Sequence, residues 1–354
     1  MNTFTISLIL VFAVVGIALV SRSVKDRVSA FFGAAYPNAK YSAMGNEFVS
    51  RAGVGRVLLA RDLKEAISAV SSRDITFEEG DIDSIDRELD RQLVNCIDMV
   101  KDEMPKPAAP VFGILELRHE IITLKHILRA VYNDKGWKAD PVGSLDRKTL
   151  ELLEDVEEKD DLKYILRYTT YHEVIEKAFR DGAPKLSELN LALDSFYFKN
   201  MGKTLDDITI WKKAYQEYLR FYSDLQNIKL ALRLREMGEE DIEKNQILST
   251  GTGIGEWELQ QMTASEGFEE AIRHLQGTIY EVVAGNIFEA ERELDRKLLE
   301  LTSELSRKYI NTAGPSLHFL QAREFEIGNL RKIFRGINEG LDAKEIEKEL
   351  ILLK

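Results

Sequence analysis

Glu326-Ile327-Gly328-Asn329-Leu330-Arg331-Lys332-Ile333-Phe334-Arg335 is a pattern this chain writes three times. The first copy is Glu120-Ile121-Ile122-Thr123-Leu124-Lys125-His126-Ile127-Leu128-Arg129, and the second is Asp224-Leu225-Gln226-Asn227-Ile228-Lys229-Leu230-Ala231-Leu232-Arg233. Each reads acid, aliphatic, any residue, Thr or Asn, aliphatic, base, any residue, Ile or Ala, Leu or Phe, Arg. A shared pattern at a nearly constant period of 104 and 102 residues marks an internally repeated architecture.

Wound as a helix, the third copy places Ile327, Leu330 and Phe334 on one face. The second does so with Leu225, Ile228 and Leu232, and the first with Ile121, Leu124 and Leu128. The base and the last Arg are four residues apart and share another face: Lys125 and Arg129, Lys229 and Arg233, Arg331 and Arg335. The acids Glu120, Asp224 and Glu326 are expected near helix starts, where the helix dipole favours negative charge. Thr or Asn is a mediocre helix former, so Asn227 and Asn329 are expected to meet a polar partner across a helix contact.

Two further landmarks keep the period. Leu-Asp pairs at Asp90, Asp194 and Asp295 lie 30, 30 and 31 residues before the motif acids. Glu65-Ala66-Ile67, Glu173-Val174-Ile175 and Glu270-Ala271-Ile272 come earlier. The sequence therefore predicts an all-α fold of three homologous helical repeats, at 48–138, 139–246 and 247–354. Segment 23–47 reads as a connector containing Pro37, and 1–22 as an N-terminal apolar helix. Continuous helices are predicted over 84–104, 162–180, 186–201, 204–235, 256–284, 289–310 and 316–337, and a terminal one over 342–352 capped by Asp342.

Phe4–Val20 carries no charged residue, and Arg22, Lys25 and Arg27 follow it. At 17 residues it is at the short limit for a membrane span, and the positive charge after it puts the following chain on the cytoplasmic side. No Lys or Arg precedes it, so an uncleaved anchor is the better reading than a signal peptide; a packed core helix is the alternative. The net charge of −12 argues against a nucleic-acid backbone as partner. The single cysteine, Cys96, excludes an internal disulfide or a cysteine metal cluster. Charged residues at 31% and hydrophobic ones at 44% fit a helix-rich folded body.

No chemistry-bearing constellation emerges. The five histidines lack metal-ligand spacing, and no nucleophile elbow or kinase motif is present. The acidic run at 154–161 reads as a solvated face. The Gly-rich Thr250–Gly255 lacks the Gly-Lys-Ser/Thr ending of a phosphate loop and reads as the loop opening the third repeat. The expectation is a non-enzymatic protein without catalytic, cofactor or metal residues. The fourteen motif and landmark residues from Asp90 to Arg335 named above then serve structure.

From about Tyr41 onward the chain resembles the C subunit of archaeal and bacterial A/V-type rotary ATPases (ATP synthases), equivalent to the d subunit of the eukaryotic vacuolar enzyme. The segments that carry the resemblance are 323–336 (Arg-Glu-Phe-Glu-Ile-Gly-Asn-Leu-Arg-Lys-Ile-Phe-Arg-Gly), Leu193-Asp194-Ser195-Phe196-Tyr197-Phe198 and Asp224–Lys229. The resemblance implies a pseudo-threefold helical funnel and a non-catalytic rotor component of the central stalk. Its partners would be the D and F axle subunits, received in the funnel, and the membrane ring of ion-carrying subunits. Phe4–Val20 departs from that family and implies an added anchor at or inside the ring. The alternative function is a membrane-tethered helical adaptor for another assembly.

Overall fold

The structure is a computed structural model that describes residues 24–25, 28–70, 77, 81–156, 158–208, 210–239, 242, 247–248, 251 and 253–353. Among them no strand forms, and an isolated bridge between Val142 and Leu145 is the nearest approach to one. Phe4–Val20 lies outside the described residues. No described helix is long and apolar enough to cross a membrane.

Three long antiparallel helix pairs frame the molecule: α4 (Ile82–Glu103) with α5 (Ala109–Tyr132), α9 (Leu186–Asp207) with α10 (Lys212–Glu236), and α13 (Ile287–Lys308) with α14 (Gly314–Asn338). The first helix of each pair starts on a side-chain device that satisfies its open backbone N–H groups. Asp81 accepts from Ser84 N at 2.9 Å, and Asn286 accepts from Glu289 N at 3.0 Å. At α9 the Glu188 carboxylate accepts from Lys185 N. These first helices are amphipathic, each with one stripe turned inward: Ile85, Leu89, Leu93 and Ile97; Leu189, Leu193, Tyr197 and Met201; Ala290, Leu294 and Leu298. The turn within each pair is short. Pro110 and Pro315 stand in the first turn of α5 and α14, where the missing N–H is not needed. The remaining turn enters α10 through Trp211 at φ 57°, so the stretch predicted as one helix from 204 is broken at 208–211.

Shorter helices fill the intervals: α2 (Arg51–Leu58) and α3 (Leu63–Val70); α6 (Arg147–Glu154), α7 (Leu162–Ile165) and α8 (His172–Ala178); α11 (Glu256–Ala264) and α12 (Phe268–Arg273); α15 (Ala343–Lys348) ends the chain. The predicted continuous helices over 162–180 and 256–284 are therefore each broken. A 3-10 turn and Thr169 interrupt the former. Gly267 and Gly277 flank α12 in the latter, Gly277 with φ 74°. The terminal helix stops at Lys348, and residues 350–353 form no regular element. The connector assigned to 23–47 is not irregular: residues 28–44 form a helix, α1.

The third interval packs on the long pair preceding it, the first interval packs on the last pair, and in the second interval α8 packs on α9 of the pair that follows. α10 supports α11 and α12, while α14 supports α2, α3 and the 3-10 turn Glu47–Val49. The start of the chain is therefore fastened to its end. Tyr41 stacks on Phe319 with ring centroids 5.0 Å apart, Asn38 donates to the carbonyls of Ile310 and Thr312, and Leu353 N donates to Val49 O.

The third landmark divides. Glu65 and Glu270 hold equivalent places, each accepting from a backbone N–H four residues earlier (Arg61, Glu266). Ala66 and Ala271 behind them are buried, as are Val70 and Leu275 one turn later. In the second interval the matching buried positions are Leu162 and Leu166; Val174 is half-buried, and Ile175, though buried, lies in the helix that follows. Thr169 and Tyr171 then repeat the backbone bonding of Thr278 and Tyr280: each Thr Oγ1 donates to a carbonyl three residues back and accepts from the Tyr N–H. The tripeptide Glu173–Ile175 is a coincidence of sequence, displaced by one short helix.

Candidate functional site: a closed circuit of helix seams and an adjoining cavity

The apolar face read from the decamer is buried in all three copies: Ile121, Leu124 and Leu128; Leu225, Ile228 and Leu232; Ile327, Leu330 and Phe334. The decamers lie in the second half of α5, α10 and α14 and not at helix starts. The dipole account of their acids is therefore wrong. Each acid instead clips the chain that enters the next interval.

Glu120 accepts from Ser144 N at 3.0 Å and from Ser144 Oγ. Asp224 accepts from Gly253 N at 2.9 Å and from Tyr280 Oη at 2.6 Å. Glu326 accepts from Phe48 N at 2.9 Å and Asn46 Nδ2 at 3.3 Å, and pairs with Arg323 at 2.9 Å. This crowding sets the composition of the loops. A Cβ on Gly253 would stand 2.5 Å from Tyr280 Oη, and Gly143 turns past Glu120 at φ 54°. Gly251 and Gly253 serve this close approach, and the Gly253 N–H is taken by a carboxylate rather than offered to a phosphate.

Asn227 and Asn329 also bind backbone, but not across a helix contact. Asn227 exchanges both its amide groups with Leu248, and Asn329 does the same with Ile351 while donating to Phe48 O. Two buried amides thus pin the chain beyond each of these long pairs, which satisfies backbone groups no helix serves.

Burial raises the pKa of Glu120 and of Glu326, against the hydrogen bonds and the Arg323 charge that favour their ionised forms. A carboxyl with a folded-state pKa above its unfolded value loses stability as pH rises through the folded value. Glu120→Gln should therefore flatten the fall in stability between the ordinary carboxylate range and neutral pH. Urea unfolding of both proteins across that range measures it; parallel pH profiles would refute it.

The bases of the motif reach the next pair's Leu-Asp landmark. Lys125 meets Asp194 at 2.5 Å, Lys229 meets Asp295 at 2.5 Å, and Arg331 meets Asp90 at 2.6 Å. First pair to second, second to third, third to first: the three contacts form a circuit. The final Arg adds a second bond one turn along. Arg233 grips Glu291 through two nitrogens, at 2.5 and 3.0 Å, and the Glu291 hydrogen bond lifts the Arg233 pKa. Arg335 grips Asp86 through Nε at 3.0 Å and through Nη2. At the first seam the corresponding place, four residues before Asp194, is Asn190. Its Oδ1 is buried without a hydrogen bond, and Arg129 is exposed with no ion pair among the described residues. Asn190→Asp should restore the missing bond and raise stability by about 0.2–1 kcal/mol, the range of a partly exposed pair. Denaturant midpoints of single and Arg129→Ala double variants check this; an unchanged midpoint in the single variant counts against it.

The motif alone did not reveal a third set. Arg118, Tyr222 and Glu324 each stand two residues before a motif acid, and they converge between the three pairs. Arg118 binds Glu324 at 2.7 Å and lies 4.7 Å from the Tyr222 ring centroid. Burial opposes the Arg118 charge, but Glu324 and the surrounding tyrosines raise its pKa above the ordinary value. Tyr218 Oη donates to Gln321 Oε1 at 2.8 Å beside them. Position relative to the motif was the available signal, since a base, an aromatic and an acid share no chemistry. These residues and the seam residues Lys125, Asp194, Lys229 and Asp295 line a cavity of about 370 Å³. Among the described residues no group of three His, Cys, Asp or Glu side chains could hold a metal ion.

A family model described as ATP synthase (C/AC39) subunit matches residues 37–349. The chain is similar to the C subunit of the A-type ATP synthase of Methanocaldococcus jannaschii, at 24% identity over 90% of this chain and 86% of that one. It is similar to the protein of the same name from Pyrococcus horikoshii, at 24% identity over 89% of each. The one from Methanosphaera stadtmanae is also 24% identical and aligns over 99% of this chain and 96% of its own.

Proposed function

This chain belongs to the ATP synthase (C/AC39) subunit family, and on that premise we propose that it is the non-catalytic coupling piece of an A/V-type rotary ATPase, joining the central axle to the membrane rotor ring. Its three units, 48–138, 139–246 and 247–354, act as homologous repeats in a pseudo-threefold funnel. The D- and F-type axle subunits enter the funnel, and the ring of ion-carrying subunits lies beneath. Nucleotide and nucleic acid are not its ligands. Phe4–Val20 holds the chain at the membrane, with the helical body on the cytoplasmic face.

The observation that supports this most directly is the circuit Lys125–Asp194, Lys229–Asp295 and Arg331–Asp90. A rotor part must carry torque without unwinding. A closed ring of packed helices meets that demand, because a close-packed interior transmits strain and leaves no free end at which adjoining pairs can slide. The cavity beside the first two of these contacts is lined by both signs of charge and by Phe198 and Tyr222, which suits polar and aromatic contacts with an inserted helix.

The test is a crosslink. Gln226 lines the cavity. Gln226→Cys, on a Cys96→Ser background in the intact ATP synthase, should crosslink to a central-axle protein through a short bismaleimide. Attachment only to peripheral-stalk or catalytic subunits would overturn the assignment. So would purified complex that lacks this chain but still couples ion flow to ATP.

A further inference from the structure

Helix α1 has two apolar faces, and the fold uses one. Ala30, Ala34 and Tyr41 are buried with Asn38 against the turns of the first and third long pairs. On the other side Val28, Phe31, Phe32 and Tyr36 recur at helical spacing and stand in the open; Phe32 is 70% and Tyr36 73% exposed. Single exposed apolar residues are unremarkable, but four along one helix face make a contiguous patch of the kind that marks an interaction surface.

We infer that this stripe lies in the interfacial layer of a lipid bilayer, so that α1 floats along the membrane surface as an in-plane continuation of the apolar N-terminus. The inference rests on the reading that this protein works at a membrane. Three observations choose lipid over other occupants. First, the stripe begins eight residues after Phe4–Val20, so any bilayer that takes that segment brings the stripe to its surface. Second, Arg22, Lys25 and Arg27 outnumber Asp26 at the junction, and basic residues beside an apolar face attract anionic headgroups. Third, α1 crosses the turns of the first and third pairs, each of which exposes a basic or an apolar side chain beside it. Gly33 lies against Pro105 of the first turn, next to exposed Lys106, and Asn38 bonds the carbonyl of Ile310, whose own side chain is 60% exposed. Tyr36 supplies the ring with a polar tip that suits the headgroup layer.

The experiment uses the full chain reconstituted into vesicles of phosphatidylcholine and phosphatidylglycerol, with and without bromine on the acyl chains near the headgroups. Phe32→Trp adds a reporter on the stripe. Val283→Trp adds one just before α13, at the end of that helix opposite its turn; Val283 is 91% exposed. Signals are read as differences from the wild-type chain, which has three tryptophans. The reporter at position 32 should shift to the blue on vesicle binding and lose most of its fluorescence to the brominated lipid, while the one at position 283 changes in neither respect. Vesicle-bound chain whose reporter at position 32 escapes quenching would overturn the inference and leave the anchor standing; residues 4–20 folded back, or a second copy, would then cover the stripe. Chain that fails to bind vesicles at all would overturn the inference together with the anchor reading.

Discussion

Glu326→Ala should lower the unfolding free energy by about 3–5 kcal/mol, the range for removing one partner of a buried ion pair. Glu326 and Arg323 are both almost wholly buried. Without the carboxylate, the Arg323 guanidinium is left uncompensated, and the Phe48 N–H loses its acceptor. That N–H belongs to the turn by which the start of the chain is fastened to α14, so the loss is not local. We expect lower protection from hydrogen exchange across 47–70, the segment that α14 supports, with α9 and α10 little changed. Glu326→Gln keeps an acceptor for Phe48 but not the charge, and should fall between the two. A Glu326→Ala protein within about 1 kcal/mol of the wild type by urea unfolding would show that the clip is not what joins the two ends.

The second large effect concerns the seam between the second and third pairs. The Lys229 side chain is 9% exposed, and Asp295 lies beneath it at 2.5 Å. Lys229→Ala strands the Asp295 carboxylate and removes packing by the lysine stem; we expect a loss of about 3 kcal/mol. Lys229→Met with Asp295→Leu, which removes both charges and keeps volume, should recover much of it. The double-mutant cycle of Lys229→Ala and Asp295→Ala should give a coupling energy above about 1 kcal/mol, because the two side chains share one contact. Independent effects that add without coupling would mean the seam is held by the leucines alone. Arg335→Glu, at an exposed position, should weaken the α14–α4 seam by less, and affect assembly rather than nucleotide binding.

These two experiments separate kinds of contact that the decamer alone does not distinguish. Its acid holds the entry to an interval, the next along the chain for Glu120 and Asp224 and the first for Glu326. Its base acts across the chain, holding the next pair. Both were legible as recurrent charges, and neither partner was. The acid at the head of a ten-residue motif suggested a helix start only because the twelve or so helical residues before it vary freely among the copies. The Asn of the motif pointed to a polar partner, but that partner is backbone, which carries no sequence signature. The broken helices over 162–180 and 256–284 were hidden for a related reason: helical spacing continues across the breaks, and the interruption is set by where each short helix must dock.

From sequence alone followed the all-helical class, the period near 103 residues, the buried face of each decamer and the family, because hydrophobic periodicity and recurrent charge are local properties of the chain. What only the tertiary structure decided is which copy meets which. The same base–acid chemistry permits pairing within a unit, with the next unit, or with another molecule. Only the packing of α5 on α9, α10 on α13 and α14 on α4 selects the next unit at every step, and only that choice brings Arg118, Tyr222 and Glu324 together. Long-range contact is a matter of shape and volume once helices form, and identical charges leave it undetermined.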